Sequence, residues 1–269
     1  MDEEGSLLPA DGIGEIVIRG ANVTQGYENN TSANMSSFTD GWFRTGDQGY
    51  LDTDNYLFIT GRLKEIINRG GEKVAPKEID EAILEHPNVT QAVAFAVPHS
   101  GLGEDIAVAV VFKEHAVVSE KEIREFLFDR LTDYKVPSQI VILDKIPKGP
   151  TGKLQRIGLS DKLAFNLKPE YVAPESPAEN TLADIWAEIL GVARVGIRDN
   201  FFSLGGDSLS ATRTIARVRS VFQIEFPLKM FFMDPTVSGQ ALIIENLILK
   251  EIEGLDEKEA IRLNKVDGN

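Results

Sequence analysis

Leu204-Gly205-Gly206-Asp207-Ser208-Leu209, LGGDSL, joins a glycine-rich turn to the start of a helix expected from Ser208 to about Val221. Two adjacent glycines allow a tight turn and a close backbone approach. Ser208 falls in the first turn of that helix, where free N–H groups and the positive dipole end favour a phosphate. Those are the needs of a serine that carries a phosphodiester. An ordinary N-cap serine after a Gly-rich turn meets them too, and GGDS alone favours that plainer reading.

The surroundings narrow the choice. DNFFSLG, residues 199–205, runs directly into the string. Upstream, Leu182, Ile185, Trp186 and Ile189 recur at helical spacing within Asn180 to Leu190. Downstream, a further helix is expected from Val237 to about Leu249. KPEYVAPESP, residues 168–177, is rich in Pro and charge and reads as an extended linker. A small helical bundle after a linker, with the serine opening its second helix, closely resembles the acyl or peptidyl carrier protein family. The resemblance covers about residues 176–250. It implies that Ser208 is the attachment point of 4′-phosphopantetheine and that a phosphopantetheinyl transferase is a partner.

Before the linker the pattern is mixed. EIVIR, Glu15 to Arg19, alternates as a strand. Gly41 to Asp47 reads as a glycine-punctuated loop, and Tyr50-Leu51 with Tyr56 to Thr60 reads as a β-hairpin across Asp52-Thr53-Asp54-Asn55. Pro76 opens a helix to about Glu85, with Ile79, Ala82 and Ile83 on its apolar side. Gln91 to Val97 and Gln139 to Leu143 are strand-like, and Ile106 to Phe112 is a nearly continuous β-branched run suited to a buried strand. Ser119 and Glu122 form a capping box for a helix to about Arg130.

Within this region stand FRTGD (43–47), GRLKE (61–65), GGEKVAP (70–76) and PTGK (150–153). Singly, each is more often a turn or a solvated charge than a site. In this order and spacing, with GEIVIRGANVTQGY at 14–27, they resemble the adenylate-forming superfamily: acyl-CoA synthetases and the adenylation domains of nonribosomal peptide synthetases. The match runs from about residue 3 to residue 165.

The resemblance assigns roles. Asp47 binds the ribose hydroxyls of ATP, and a carboxylate can accept both O–H bonds. Arg62 holds the nucleotide by its charged fork. Lys64 is the hinge about which the C-terminal subdomain swings between two reactions. Lys153 is the catalytic lysine that bridges carboxylate and phosphate oxygens during adenylate formation. Gly71 lines the pantetheine tunnel, and Lys73 meets phosphate beside it. The implied chemistry is carboxylate plus ATP giving acyl-AMP and pyrophosphate, with Mg²⁺ neutralising the phosphates, followed by capture on a pantetheine thiol. GRLKEIINRGGEKVAP, with Lys at the hinge, looks more like acyl-CoA and oxalate-type CoA ligases than amino-acid-activating domains.

The expected architecture is an α+β C-terminal adenylation subdomain (63–167), preceded by a β-rich remnant of the large N-terminal domain (1–62). After the linker (168–177) come a helical-bundle carrier (178–250) and a tail of no strong pattern (251–269). The phosphate loop, the Mg²⁺- and adenine-binding segment and the acid pocket of the family have no counterpart string here. A chain lacking complete adenylation activity is therefore expected. Its partners would be the missing N-terminal region or a loading enzyme, downstream acceptor or condensing domains, and CoA. The alternative is a non-enzymatic carrier and docking protein loaded in trans.

Composition is consistent with this. The chain has 269 residues, 42% hydrophobic content and a net charge of -14. That content can build cores. Residues 1–62 carry half of the net charge, with 3 basic and 10 acidic side chains. Acidity argues against an electrostatic grip on nucleic acid. No apolar run approaches the roughly 18 residues of a spanning helix, and the acidic N-terminus is unlike a signal peptide, so a cytoplasmic protein is expected. There is no cysteine, which removes a protein thiol nucleophile and fits a thiol brought by a prosthetic group or CoA. His86, His99 and His115 lack metal-ligand spacing and read as solvated or structural; no metal site is expected. Phe201-Phe202 and Phe231-Phe232 read as core or docking aromatics.

Overall fold

The structure is a computed structural model that describes residues 1–149, 152, 154–164 and 171–266. It holds two sheets and a helical bundle. The first sheet contains β1 (Gly14–Ile18), β2 (Phe38–Thr39), β3 (Trp42–Leu51) and β4 (Leu57–Arg62), with a short helix α1 (Thr31–Ser37) before β2. β3 is the spine and pairs antiparallel with the other three strands. The glycine-punctuated loop expected at Gly41 to Asp47 is instead most of β3. Partners on both edges satisfy its backbone groups, and Gly46 at φ +73° is accommodated in the strand.

The second sheet contains β5 (Ile67–Arg69), β6 (Glu72–Val74), β7 (Val89–His99), β8 (Gly103–Phe112) and β9 (Gln139–Ile142). β8 is central. It pairs antiparallel with β7 over its whole length, and on its other edge antiparallel with β5 at Gly103 and parallel with β9 from Ala107 to Val110. Helices α2 (Pro76–Leu84) and α3 (Glu120–Phe128) close one face. α3 starts at the Ser119–Glu122 capping box, with both reciprocal bonds made. Val108 and Val110 of β8 pack with Ile79, Ile83, Ile123 and Leu127 on that face. Ala107, Ala109 and Val111 pack with Phe95, Ile146 and Leu159 on the other, the last from the short helix α4 (Leu159–Lys162).

The bundle is built from α5 (Pro177–Leu190), α6 (Ser208–Phe222), α7 (Leu228–Met233) and α8 (Val237–Val266). Its centre is aromatic: Trp186, Phe201, Phe226 and Phe231 are fully buried. Phe201 meets Trp186 and Phe231 edge-on, with ring centroids 5.0 and 4.9 Å apart. Phe202 is buried and stacks on Phe232, so both aromatic pairs of the sequence serve the core. Two helices run further than the periodicity indicates. α5 begins at a second capping box, Ser176–Glu179, with Pro177 in its first turn. α8 continues through Val266, so the chain after Lys250 extends a helix and is not an irregular tail.

Phe201→Ala is expected to cost about 3–5 kcal/mol, the range for deleting a buried aromatic. Urea unfolding followed by Trp186 fluorescence, in a Trp42→Phe background, measures it.

Candidate functional site

Asp47 is placed by its own strand. Glu15 on β1 is buried and takes the Arg44 guanidinium at 2.7 Å and the Gly46 N–H at 3.0 Å. The Thr45 hydroxyl donates to the Ile16 carbonyl at 2.7 Å and accepts the Asp47 N–H at 3.0 Å. FRTGD is therefore a string whose polar members pin one another. Arg62 faces Asp47 in register across β3 and β4, and its Nε lies 2.9 Å from Asp47 Oδ1. The two residues matched to nucleotide binding are side by side on an open surface. Asp47 Oδ2 has no donor among the described residues and can accept a sugar hydroxyl.

Lys64 follows at once, exposed in a single 3₁₀ turn (Leu63–Glu65) that joins the two sheets. Arg156 clamps this turn. Its Nε meets Glu65 at 2.9 Å, one terminal nitrogen meets Asp80 on α2, and the other donates to the Ala94 carbonyl at 2.9 Å. Asp80 also accepts the Ala94 N–H at 2.7 Å. Burial raises the Asp80 pKa, and the charge and bonds of Arg156 oppose that rise. Reading the sequence alone missed Arg156. Its only signal was a position three residues after Lys153.

Gly70 and Gly71 turn between β5 and β6 at φ +61° and +100°. Gly70 N–H donates to Leu102 O at 3.0 Å, and Gly71 N–H to the Asn68 side chain at 3.0 Å. Arg69 beside them binds buried Asp105 at 2.7 Å. Lys73 points to the N-terminal segment before β1, pairing with Glu3 at 2.6 Å. Lys153 lies outside the described residues. Asp47, Arg62 and Lys64 thus form one neighbourhood, and Gly71 and Lys73 another on β5–β6.

Ser208 lies on the bundle. It is exposed in the first turn of the fifteen-residue helix α6, and among the described residues its hydroxyl makes no hydrogen bond. Asp207 is the N-cap, bonded reciprocally with Ser210 at 2.7 Å. Gly206 leaves no room for a Cβ, because Phe201 occupies that space. A free hydroxyl on an open helix start fits a bulky phosphodiester-linked arm. Among the described residues no group of three or more His, Cys, Asp or Glu could hold a metal ion.

Residues 78–153 match the family described as the AMP-binding enzyme C-terminal domain, and residues 180–243 match the phosphopantetheine attachment site family. This chain joins an AMP-binding enzyme C-terminal domain to a phosphopantetheine-binding domain. It is 49% identical over 156 residues to an oxalate–CoA ligase of Arabidopsis thaliana, a match covering 58% of this chain and 30% of the relative. It is 34% identical over 253 residues to tyrocidine synthase 2 of Brevibacillus parabrevis, covering 91% of this chain and 7% of the relative. The solved structure of the McyG A-PCP complexed with phenylalanyl-adenylate matches with a TM-score of 0.59 at 30% identity, over 91% of this chain and 42% of that one. The chain spans about 30% of the length of the CoA ligases it matches. The phosphopantetheine attachment site family implies 4′-phosphopantetheine. Among the described residues no helix is long and apolar enough to cross a membrane.

The N–H of Ser210 leads the contacts that hold the Asp207 carboxyl below the ordinary carboxylate value of 3.8. A depressed folded-state pKa contributes stability above the unfolded value and loses it as pH falls through the folded value. Acid unfolding of the bundle should therefore steepen below that ordinary value, and Asp207→Asn should flatten this part of the profile. Asp207→Ala is expected to cost about 1 kcal/mol at neutral pH, as for loss of an N-cap. Circular dichroism melts across pH measure both.

Proposed function

We propose that this chain is part of an ATP-dependent acid-activating ligase module whose fused carrier receives the acyl group. The observation that carries the reading is Ser208, a free and exposed hydroxyl at the head of α6. 4′-Phosphopantetheine attached there would supply a thiol to hold the acyl group as a thioester. Asp47 accepts the ribose hydroxyls of ATP, and Arg62, fixed beside it at 2.9 Å, holds the nucleotide. Mg²⁺ enters with ATP as part of the substrate. Lys153 serves as the catalytic cation that joins carboxylate and phosphate oxygens. Lys64 is the pivot, and Gly71 leaves an open path for the arm because no side chain projects there. Lys73 binds phosphate once released from Glu3.

The likeness to an oxalate–CoA ligase supports a CoA-ligase-type activation half. The longer match to tyrocidine synthase 2, through the carrier, supports loading of the carrier itself. The partners are a phosphopantetheinyl transferase, the large adenylation region that completes the ATP site, and a downstream acceptor domain. β4 supports the second partner. Leu57, Phe58 and Ile59 are exposed there, with Tyr56 just before them, a run of apolar side chains that a larger domain would cover. The carrier has an aromatic core of its own, which favours a second reading: a carrier loaded in trans by a separate enzyme.

Incubation with CoA and a phosphopantetheinyl transferase should add one phosphopantetheine by mass, and none to Ser208→Ala. No gain in the wild-type chain would refute the carrier role. With ATP and candidate acids alone the chain should give no pyrophosphate exchange. Adding the upstream adenylation region as a second chain should give acyl-AMP, lost in Lys153→Ala. Acyl-AMP that survives Lys153→Ala would leave only loading in trans.

A further inference from the structure

The carrier loop and the Gly70–Gly71 turn are held by one short element, the turn between β7 and β8. His99 ends β7 and is buried. Its Nδ1 receives the N–H groups of Gly101 at 3.1 Å and Leu102 at 3.0 Å. A nitrogen that accepts twice carries no proton, so the ring hydrogen is on Nε2. Nε2 lies 3.0 Å from the carbonyl oxygen of Gly206, inside LGGDSL, and donates to it. Ser100 on the same turn lies against Gly205, whose φ is +96°. A Cβ on Gly205 would come 2.6 Å from the Ser100 hydroxyl oxygen. The carbonyl of Leu102 meanwhile takes the Gly70 N–H at 3.0 Å. A second contact lies further along the same seam. The Ser138 carbonyl accepts both Arg124 Nη2 at 3.0 Å and Asn200 Nδ2 at 2.9 Å, and Asn200 belongs to the DNFFSLG segment.

We propose that the turn from His99 to Gly103 is a docking site in cis for the LGGDSL loop, with His99 as its positioning residue. This rests on the reading of Ser208 as the arm-bearing serine. His99 acts on both sides at once. Nδ1 shapes the turn that steadies Gly70–Gly71, and Nε2–H fixes the backbone two residues before Ser208. An arm on Ser208 therefore starts beside the glycine turn assigned to the pantetheine path. Glycine at 205 lets the two loops touch, and Asn200 sets the register of the carrier on Ser138, the residue before β9.

Isosteric replacements separate docking from turn structure. His99→Asn presents an acceptor where Nδ1 stands but has no donor to reach Gly206. His99→Gln presents a donor near Nε2. Asn200→Asp keeps the oxygen that caps Phe202 and Ser203 and loses the donor to Ser138. The readout is ¹⁵N relaxation of the full chain, comparing the tumbling of residues 177–249 with that of residues 67–142. In the wild type the two sets should share one correlation time. His99→Asn should lower the docked-to-free ratio about fivefold, as for one neutral hydrogen bond, and Asn200→Asp should lower it by a similar factor. His99→Gln should keep most of the docking. Independent tumbling in the wild type, or no change in His99→Asn, would overturn the proposal. Equal loss in His99→Gln and His99→Asn would overturn the donor role of Nε2. Phosphopantetheine addition to Ser208, read by mass on the same samples, tests the carrier reading separately.

Discussion

The antiparallel ladder between β7 and β8 is the constraint on which the rest of the adenylation subdomain depends. Ten registered residue pairs hold it from Val89–Phe112 to His99–Gly103. Side chains alternate across the sheet, so the same two strands feed both cores. Ala92, Ala94, Ile106, Val108 and Val110 face α2 and α3, and Val93, Phe95, Val97, Ala107, Ala109 and Val111 face α4. A one-residue slip would exchange every one of these side chains between faces. The ladder also fixes where its turn lies, and with it His99, Leu102 and the Gly70–Gly71 turn.

This double burial explains what could be read from the residues and what could not. Ile106 to Phe112 announces a strand covered on both faces because all its side chains are apolar. LGGDSL announces its helix start because an N-cap and two glycines are local signals. β3 was hidden for the opposite reason: WFRTGDQGYL holds two glycines and three charged or amide side chains, and its polar members are satisfied by β1 on one edge and β4 on the other. The Ser176–Glu179 capping box was hidden by Pro177, which reads as linker until the helix that follows supplies its context. The end of α8 was hidden because its charged sequence lacks a sustained apolar stripe.

The candidate site shows the same division. Asp47, Arg62, Gly71 and Ser208 sit in strings whose order carries a resemblance. Arg156, Glu15 and His99 act through partners distant in sequence. Arg156 reaches Asp80 and Ala94, and His99 reaches a carbonyl 107 positions away. Such residues acquire meaning only when the fold has set their neighbours. A buried histidine with both nitrogens bonded is indistinguishable, in one sequence, from a histidine in a turn.

The size of the docking seam bears on how such a chain works. A neutral hydrogen bond contributes about 0.5–1.5 kcal/mol net, and a charge-assisted one about 1.5–3. Among the described residues the cross-seam bonds number few: His99 to Gly206, Asn200 to Ser138, and the longer Arg124 to Met233 contact at 3.4 Å. Their sum, about 2.5–6 kcal/mol by those values, reaches only the lower end of the cost of association for two free domains, about 4–15 kcal/mol. A tether changes this. Joining the domains through the linker makes docking intramolecular, with an effective concentration near the millimolar range. The seam can then be populated and still open readily. A carrier that must take up its arm, meet an activated acid and pass the acyl group on needs that balance. A larger apolar interface would trap it at the first station.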